Sequence, residues 1–110
     1  MERFVKGEVV VVPFPFSDLS LSKRRPALVL ADLHGDDIIL CQITSKTIKD
    51  IYSVSVDSDD FKSGNLKQQS NIRPNRIFTA DKNIILKKVG KISTSKYNEV
   101  LEVLFEILKR

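Results

Sequence analysis

Residues 23–45, reading KRRPALVLADLHGDDIILCQITS, hold two apolar runs, 27–33 and 38–43, separated by His34, Gly35, Asp36 and Asp37. Each run is shorter than an ordinary helix, and the polar, glycine-containing link between them is turn chemistry, so the segment predicts a β-hairpin. A basic cluster (Lys23, Arg24, Arg25) enters the first strand and a hydroxyl pair (Thr44, Ser45) leaves the second. Antiparallel pairing brings those cations and hydroxyls to the same end, which is therefore the candidate site.

The remaining sequence supplies more strands. Glu8 is followed by the β-branched run Val9, Val10, Val11 and Val12, a buried first strand that Pro13 is expected to end. From Pro13 to Ser22 the prolines and serines predict a loop, in which Phe14 and Phe16 either pin the loop to the core or stack on bases. Residues 46–51 read as loop, and the alternation from Tyr52 to Asp57 reads as a half-exposed strand. Asp57, Asp59 and Asp60 form a solvated turn, since the glycine and terminal glutamate of a calcium loop are missing at their offsets. Residues 66–70 begin another extended piece. Ile72, Ile77 and Phe78 are expected inside and Arg73, Asn75 and Arg76 outside, and Ile84, Ile85, Leu86 and Val89 form a last strand closed by Gly90.

After Ser93 the period changes to three and four. Tyr97, Val100, Leu101, Leu104 and Leu108 make one apolar stripe of a helix capped by Ser93, Thr94 or Ser95. Val103, Phe105 and Ile107 widen that surface toward a second chain. About six short strands and one late helix, without a β-helix-β rhythm, predict a mainly β fold, a small antiparallel barrel or curved sheet. At 110 residues, 42% of them hydrophobic, the chain fits one domain spanning 1–110.

Chemistry is narrowed by what the chain lacks. One histidine and one cysteine exclude the usual metal-ligand sets, and neither a Gly-rich phosphate loop nor a complete nucleophilic triad is present. No metal or cofactor is expected. Cys41, inside an apolar run, reads as a small core residue in a reducing compartment. Neither a signal-peptide core nor a membrane-length apolar run occurs, so a soluble, cytoplasmic protein without a membrane partner is expected. The net charge of +4 suits a polyanion. What remains is cation and hydroxyl chemistry on a phosphate. RNA makes so sparse a site sufficient, because its own 2′-hydroxyl is the nucleophile against the adjacent phosphate.

The Gly7-Glu8-Val9-Val10 start, Arg25-Pro26-Ala27-Leu28-Val29-Leu30, Ile43-Thr44-Ser45 and Gly90 before the final helix together resemble the MazF/PemK (Kid) toxins of toxin–antitoxin systems. The resemblance implies an SH3-like barrel and a metal-independent endoribonuclease that cuts single-stranded RNA to a 2′,3′-cyclic phosphate and a 5′-hydroxyl. It implies a homodimer and a small antitoxin partner with an acidic tail. By motif, Arg25 and Thr44 become catalytic, with Glu8 at an acidic position used in some members. Lys23, Arg24, Ser45, Lys46, Ser70 and Arg73 become RNA contacts. The chain departs from the family where an Asp-Gln pair reads Ser70-Asn71, which removes an acid. Two alternatives follow: a barrel that binds antitoxin or RNA without cutting, and a gyrase-directed toxin of the same fold.

Overall fold

Val9, Val10 and Val12 are shut off from solvent although they are near neighbours on one strand, so both faces of that strand are covered. The computed structural model describes residues 3–14, 23–47 and 49–110. It contains strands β1 (Glu8–Phe14), β2 (Lys23–Asp32), β3 (Asp37–Thr44), β4 (Val54–Val56), β5 (Phe61–Gly64), β6 (Ser70–Asp81) and β7 (Lys87–Ile92), followed by helix α1 (Thr94–Leu108). All pairings are antiparallel, in the order β4-β6-β3-β2-β1-β7-β5. The sheet curls into a half-barrel, the mainly β, SH3-like architecture expected.

The predicted hairpin is β2–β3, with Ala27 opposite Gln42, Leu28 opposite Cys41 and Val29 opposite Leu40. Its turn is clamped by Lys82, whose Nζ donates to the carbonyls of Leu33 and Gly35 and pairs with Asp32. Because successive side chains point to opposite faces, the two faces of the hairpin bury different residues. On one face Leu28, Leu30, Cys41 and Ile43 join Val9, Ile72, Ile92 and the helix residues Tyr97, Val100 and Leu104. On the other, Ala27, Val29, Ile38 and Leu40 join Phe4, Val10 and Val12. Burial pushes the Cys41 thiol up to about 12, so it stays protonated and packs as a core residue.

Helix α1 is capped by Ser93, whose hydroxyl accepts from the Lys96 N–H at 3.2 Å. Its stripe packs through Tyr97, Val100 and Leu104, whereas Leu108 in the last turn is 66% exposed. Tyr97 also repairs a defect in β2. The β2–β3 ladder shifts register between Val29 and Ala31, and the Tyr97 hydroxyl donates to the Leu30 carbonyl at 2.6 Å. Burial raises the pKa of the phenol, which keeps it a donor. Tyr97→Phe leaves a buried carbonyl unmet and is expected to cost about 1–3 kcal/mol in urea unfolding. A loss within error would mean that another donor takes its place.

Three local expectations need correction. β1 does not stop at Pro13: Pro13 and Phe14 continue the strand opposite Arg24 and Lys23, and the remainder of the predicted loop, with Phe16, lies outside the described residues. The apolar Ile84 and Ile85 belong to a short 3-10 turn and its exit, where they pack on the second cluster, and the last strand begins only at Lys87 and runs through Gly90. Ile77, expected inside, is 44% exposed, because β6 leaves its ladder with β3 just before it. The acidic turn is as read: Asp57 and Asp60 form a reciprocal capping box around a 3-10 turn.

Candidate functional site

Strand register carries the candidate residues to one face. Arg25 lies opposite Val12, a member of the second core cluster, so its side chain leaves β2 on that cluster's face. Continuing the Ala27–Gln42 register by two residues sets Arg25 opposite Thr44. Thr44 is in turn paired with Asn71, and Gln42 with Arg73. One row across the sheet therefore reads Arg25, Thr44, Asn71, and the adjacent row Ala27, Gln42, Arg73. Opposed residues in such a ladder have Cβ atoms about 4.5–5.5 Å apart, close enough for one phosphate to touch two neighbours.

Thr44 is prepared as a donor. Its Oγ1 accepts the Lys46 N–H at 3.2 Å, and the Lys46 carbonyl accepts from Asn71 Nδ2 at 3.3 Å. The oxygen is thereby held in place while its own O–H remains to donate. Arg25 is half-buried and makes no hydrogen bond or ion pair among the described residues. Lys23, Arg24, Ser45 and Lys46 are exposed around this end.

Arg73 is anchored rather than loose. Its Nη2 meets Asp50 Oδ2 at 3.1 Å, while its Nε is buried with no hydrogen-bond partner among the described residues. Asp50 also accepts the Tyr52 N–H at 2.9 Å, and its carbonyl accepts from the Ser53 hydroxyl, so the pair ties the loop after Thr44 to β6. The Tyr52 N–H, followed by Arg73 and the Asn75 side chain, holds the Asp50 carboxyl below the usual carboxylate range against the opposing effect of partial burial. A carboxyl depressed on folding contributes stability that is complete above its unfolded pKa of about 3.9 and disappears as pH falls through the folded value. Asp50→Asn is therefore expected to show a constant deficit above about pH 5 that shrinks in acid, measured by urea unfolding across pH. A deficit that does not change with pH would remove Asp50 from the linked groups.

Two expected site residues are placed apart. Glu8 shares a strand with Val12, but four residues of β1 put it about 13 Å from the Arg25 level. Its carboxylate accepts the Val5 N–H at 2.7 Å and pairs with Lys88 at 3.3 Å. Ser70 is buried opposite Val56, on the face away from Thr44, and its hydroxyl donates to the Gln68 carbonyl. Asn71, Gln42 and Asp50 were not singled out by sequence reading. The register of β3 on β6 reveals Gln42 and Asn71, the latter also directly following Ser70 in the expected motif, and the ion pair with Arg73 reveals Asp50. Among the described residues no three His, Cys, Asp or Glu side chains converge as metal ligands would.

Residues 5–108 match the model of a family described as the PemK-like, MazF-like toxin of type II toxin-antitoxin systems. No curated protein matches the chain. Among solved structures, the fold is similar to MazF from Deinococcus radiodurans (Form-I), with TM-score 0.78, 19% identity and 100% of both chains covered. It is similar to an endoribonuclease from Mycobacterial species at TM-score 0.75 and 17% identity, covering 99% of this chain and 94% of that one. A further similar structure is an endoribonuclease in complex with its cognate antitoxin from Mycobacterial species, with TM-score 0.76, 15% identity and coverage of 99% and 96%. At these identities the likeness is one of fold.

Proposed function

We propose, from the premise that this chain belongs to the PemK-like, MazF-like toxin family of type II toxin–antitoxin systems, that it is a metal-independent endoribonuclease acting on single-stranded RNA. The observation that carries the reading is the row formed by Arg25, Thr44 and Asn71, in which a guanidinium without a hydrogen bond or ion pair among the described residues lies opposite a hydroxyl whose oxygen accepts the Lys46 N–H. The RNA 2′-hydroxyl gives its proton to solvent water as it attacks the adjacent phosphorus. A bond forms to the 2′-oxygen, the bond to the 5′-oxygen breaks, and the departing oxygen takes up a proton. The products are a 2′,3′-cyclic phosphate and a 5′-hydroxyl.

Arg25 stabilises the negative charge that grows on the non-bridging oxygens, and Thr44 donates to one of them. Arg25 also passes a proton to the departing oxygen and regains one from solvent, so the guanidinium ends the step charged. Asn71 positions Thr44 by fixing the turn through Lys46. Lys23, Arg24, Ser45, Lys46 and Arg73 hold and steer the strand, a role for which permanent charge and exposed donors suffice. Glu8, tied to Lys88 and Val5, braces the start of β1, and Ser70 closes the start of β6.

The protein acts as a homodimer, supported by exposed apolar side chains at Ile77, Leu86 and Phe105. A small acidic-tailed antitoxin neutralises it, a partner suited to the basic charge balance and in keeping with the antitoxin complex of the Mycobacterial endoribonuclease. It works in the cytoplasm, and among the described residues no helix is long and apolar enough to cross a membrane. The test is incubation with a broad RNA library in EDTA, followed by analysis of product ends. Cleavage leaving cyclic phosphate and 5′-hydroxyl ends is expected. Intact RNA would favour the non-cutting barrel, and a block of DNA gyrase with RNA untouched would favour the gyrase-directed toxin.

A further inference from the structure

We propose that Asp50 is a built-in competitor of the RNA: it occupies Arg73 in the free protein and yields it to a backbone phosphate next to the cut; this rests on the ribonuclease reading above. Arg73 stands on the site face, two residues along β6 from Asn71, since Asn71 lies opposite Thr44 and Arg73 opposite Gln42. That spacing, about 6.6 Å, sets its guanidinium beside the row that holds the reacting phosphate. Yet its Nη2 is engaged by Asp50 Oδ2 at 3.1 Å, and both side chains are partly buried.

The carboxylate stands alone among cations. Asp50 is the only acid between Ile38 and Val56, and residues 61–80 contain none, whereas the same two segments expose Lys46, Lys49 and Arg76. That single anion sits on the cation nearest the site row. Nor does its turn require the ion pair. Asp50 Oδ1 accepts the Tyr52 N–H at 2.9 Å, and the Asp50 carbonyl accepts the Ser53 N–H at 3.1 Å and the Ser53 hydroxyl at 2.9 Å. These contacts close the turn without Arg73.

A difference between the two anions favours the exchange. With Oδ1 committed to Tyr52, the carboxylate offers Arg73 one oxygen only. A phosphodiester offers two non-bridging oxygens, and the planar guanidinium engages such a pair bidentately, the stronger arrangement. On release Asp50 keeps its turn, so only the arginine moves. Without RNA the pair offsets the charge of Arg73 and weakens its pull on polyanions in general. Asp50 therefore lowers RNA affinity and reserves Arg73 for a strand seated in the site.

The experiment measures binding and cleavage separately. Fluorescent single strands of randomised 2′-O-methyl RNA, which have no 2′-hydroxyl to attack, are titrated with parent, Asp50→Asn and Asp50→Ser proteins over a range of salt. Asparagine and serine both keep an oxygen for the Tyr52 N–H and remove the charge. Each variant should bind about three- to tenfold tighter than the parent at low salt. Adding Arg73→Gln to Asp50→Asn should remove that gain and make the slope of log affinity against log salt shallower by about 0.7, the equivalent of one phosphate contact. A damaged fold binds more weakly, so misfolding does not imitate the gain. Cleavage of unmodified RNA by the parent is measured in parallel. Affinity equal to or below the parent's in both Asp50 variants, with the parent cutting RNA, overturns the competitor and leaves the ribonuclease standing. A gain that persists with Arg73→Gln overturns it as well. An Arg73-dependent gain without cleavage by the parent keeps Asp50 as a competitor for RNA and overturns the ribonuclease. Neither binding nor cleavage overturns both.

Discussion

Arg25→Ala is expected to lower single-turnover RNA cleavage by about 10²- to 10³-fold, the loss typical of removing one charge-stabilising donor from a transition state. Folding should be unaffected, because Arg25 makes no hydrogen bond or ion pair among the described residues. Its alternation neighbours Ala27 and Val29, not Arg25 itself, fill the core. Arg25→Lys keeps the charge but loses the planar fork that engages two phosphate oxygens at once, so it should fall between parent and alanine. Thr44→Val is the companion test. It removes the O–H donor and also the acceptor for the Lys46 N–H, so it should slow cleavage and loosen the turn together. The measurement pairs cleavage rates with thermal unfolding for each variant. Arg25→Ala cleaving within threefold of the parent, with an unchanged melting temperature, would remove Arg25 from the chemistry.

That prediction could be framed from sequence because the residues concerned are local to one hairpin. The apolar runs 27–33 and 38–43 are each too short for an ordinary helix, their turn is written in His34, Gly35, Asp36 and Asp37, and antiparallel return alone brings Arg25 toward Thr44. Helix α1 was equally legible, since its period is carried within the segment. The parts not legible depend on pairings between distant segments. β6 runs through Pro74 although proline argues against a central strand, and only the bulge opposite Gln42 explains how the sheet tolerates it. Ile84 and Ile85 look like strand residues because an apolar pair has no period of its own, and it takes the core cluster they cover to identify them. The site divides in the same way. Arg25 and Thr44 follow from the hairpin, whereas Asn71, Asp50 and Gln42 owe their positions to β3 lying on β6 and to the loop that Asp50 ties down. Glu8 follows a motif in sequence, yet the length of β1 separates it from Arg25.

Gly64→Ala is expected to be among the most destabilising single-methyl additions in this chain, about 2–5 kcal/mol from two independent sources. The first is backbone strain: Gly64 has φ of +68°, in the left-handed region that costs another residue about 1–2 kcal/mol. The second is space. Gly64 pairs with Gly90 where β5 crosses β7, and an added Cβ would overlap the Val89 carbonyl oxygen and lie 2.5 Å from Gly90 Cα. Neither obstacle is the end of a flexible side chain, so the strands must part, at a cost typical of overpacking, about 1–3 kcal/mol. The same carbonyl accepts the Asn65 N–H, so the hydrogen bond that starts the β5–β6 connection is disturbed as well. Gly35→Ala isolates the first source, because Gly35 has φ of +78° with nothing within 4 Å of an added Cβ. It should cost only about 1–2 kcal/mol. Urea unfolding of the two variants measures the difference directly. Equal losses would mean that β5 and β7 separate without cost, and that the glycine pairing at Gly64 and Gly90 serves only the backbone conformation of Gly64.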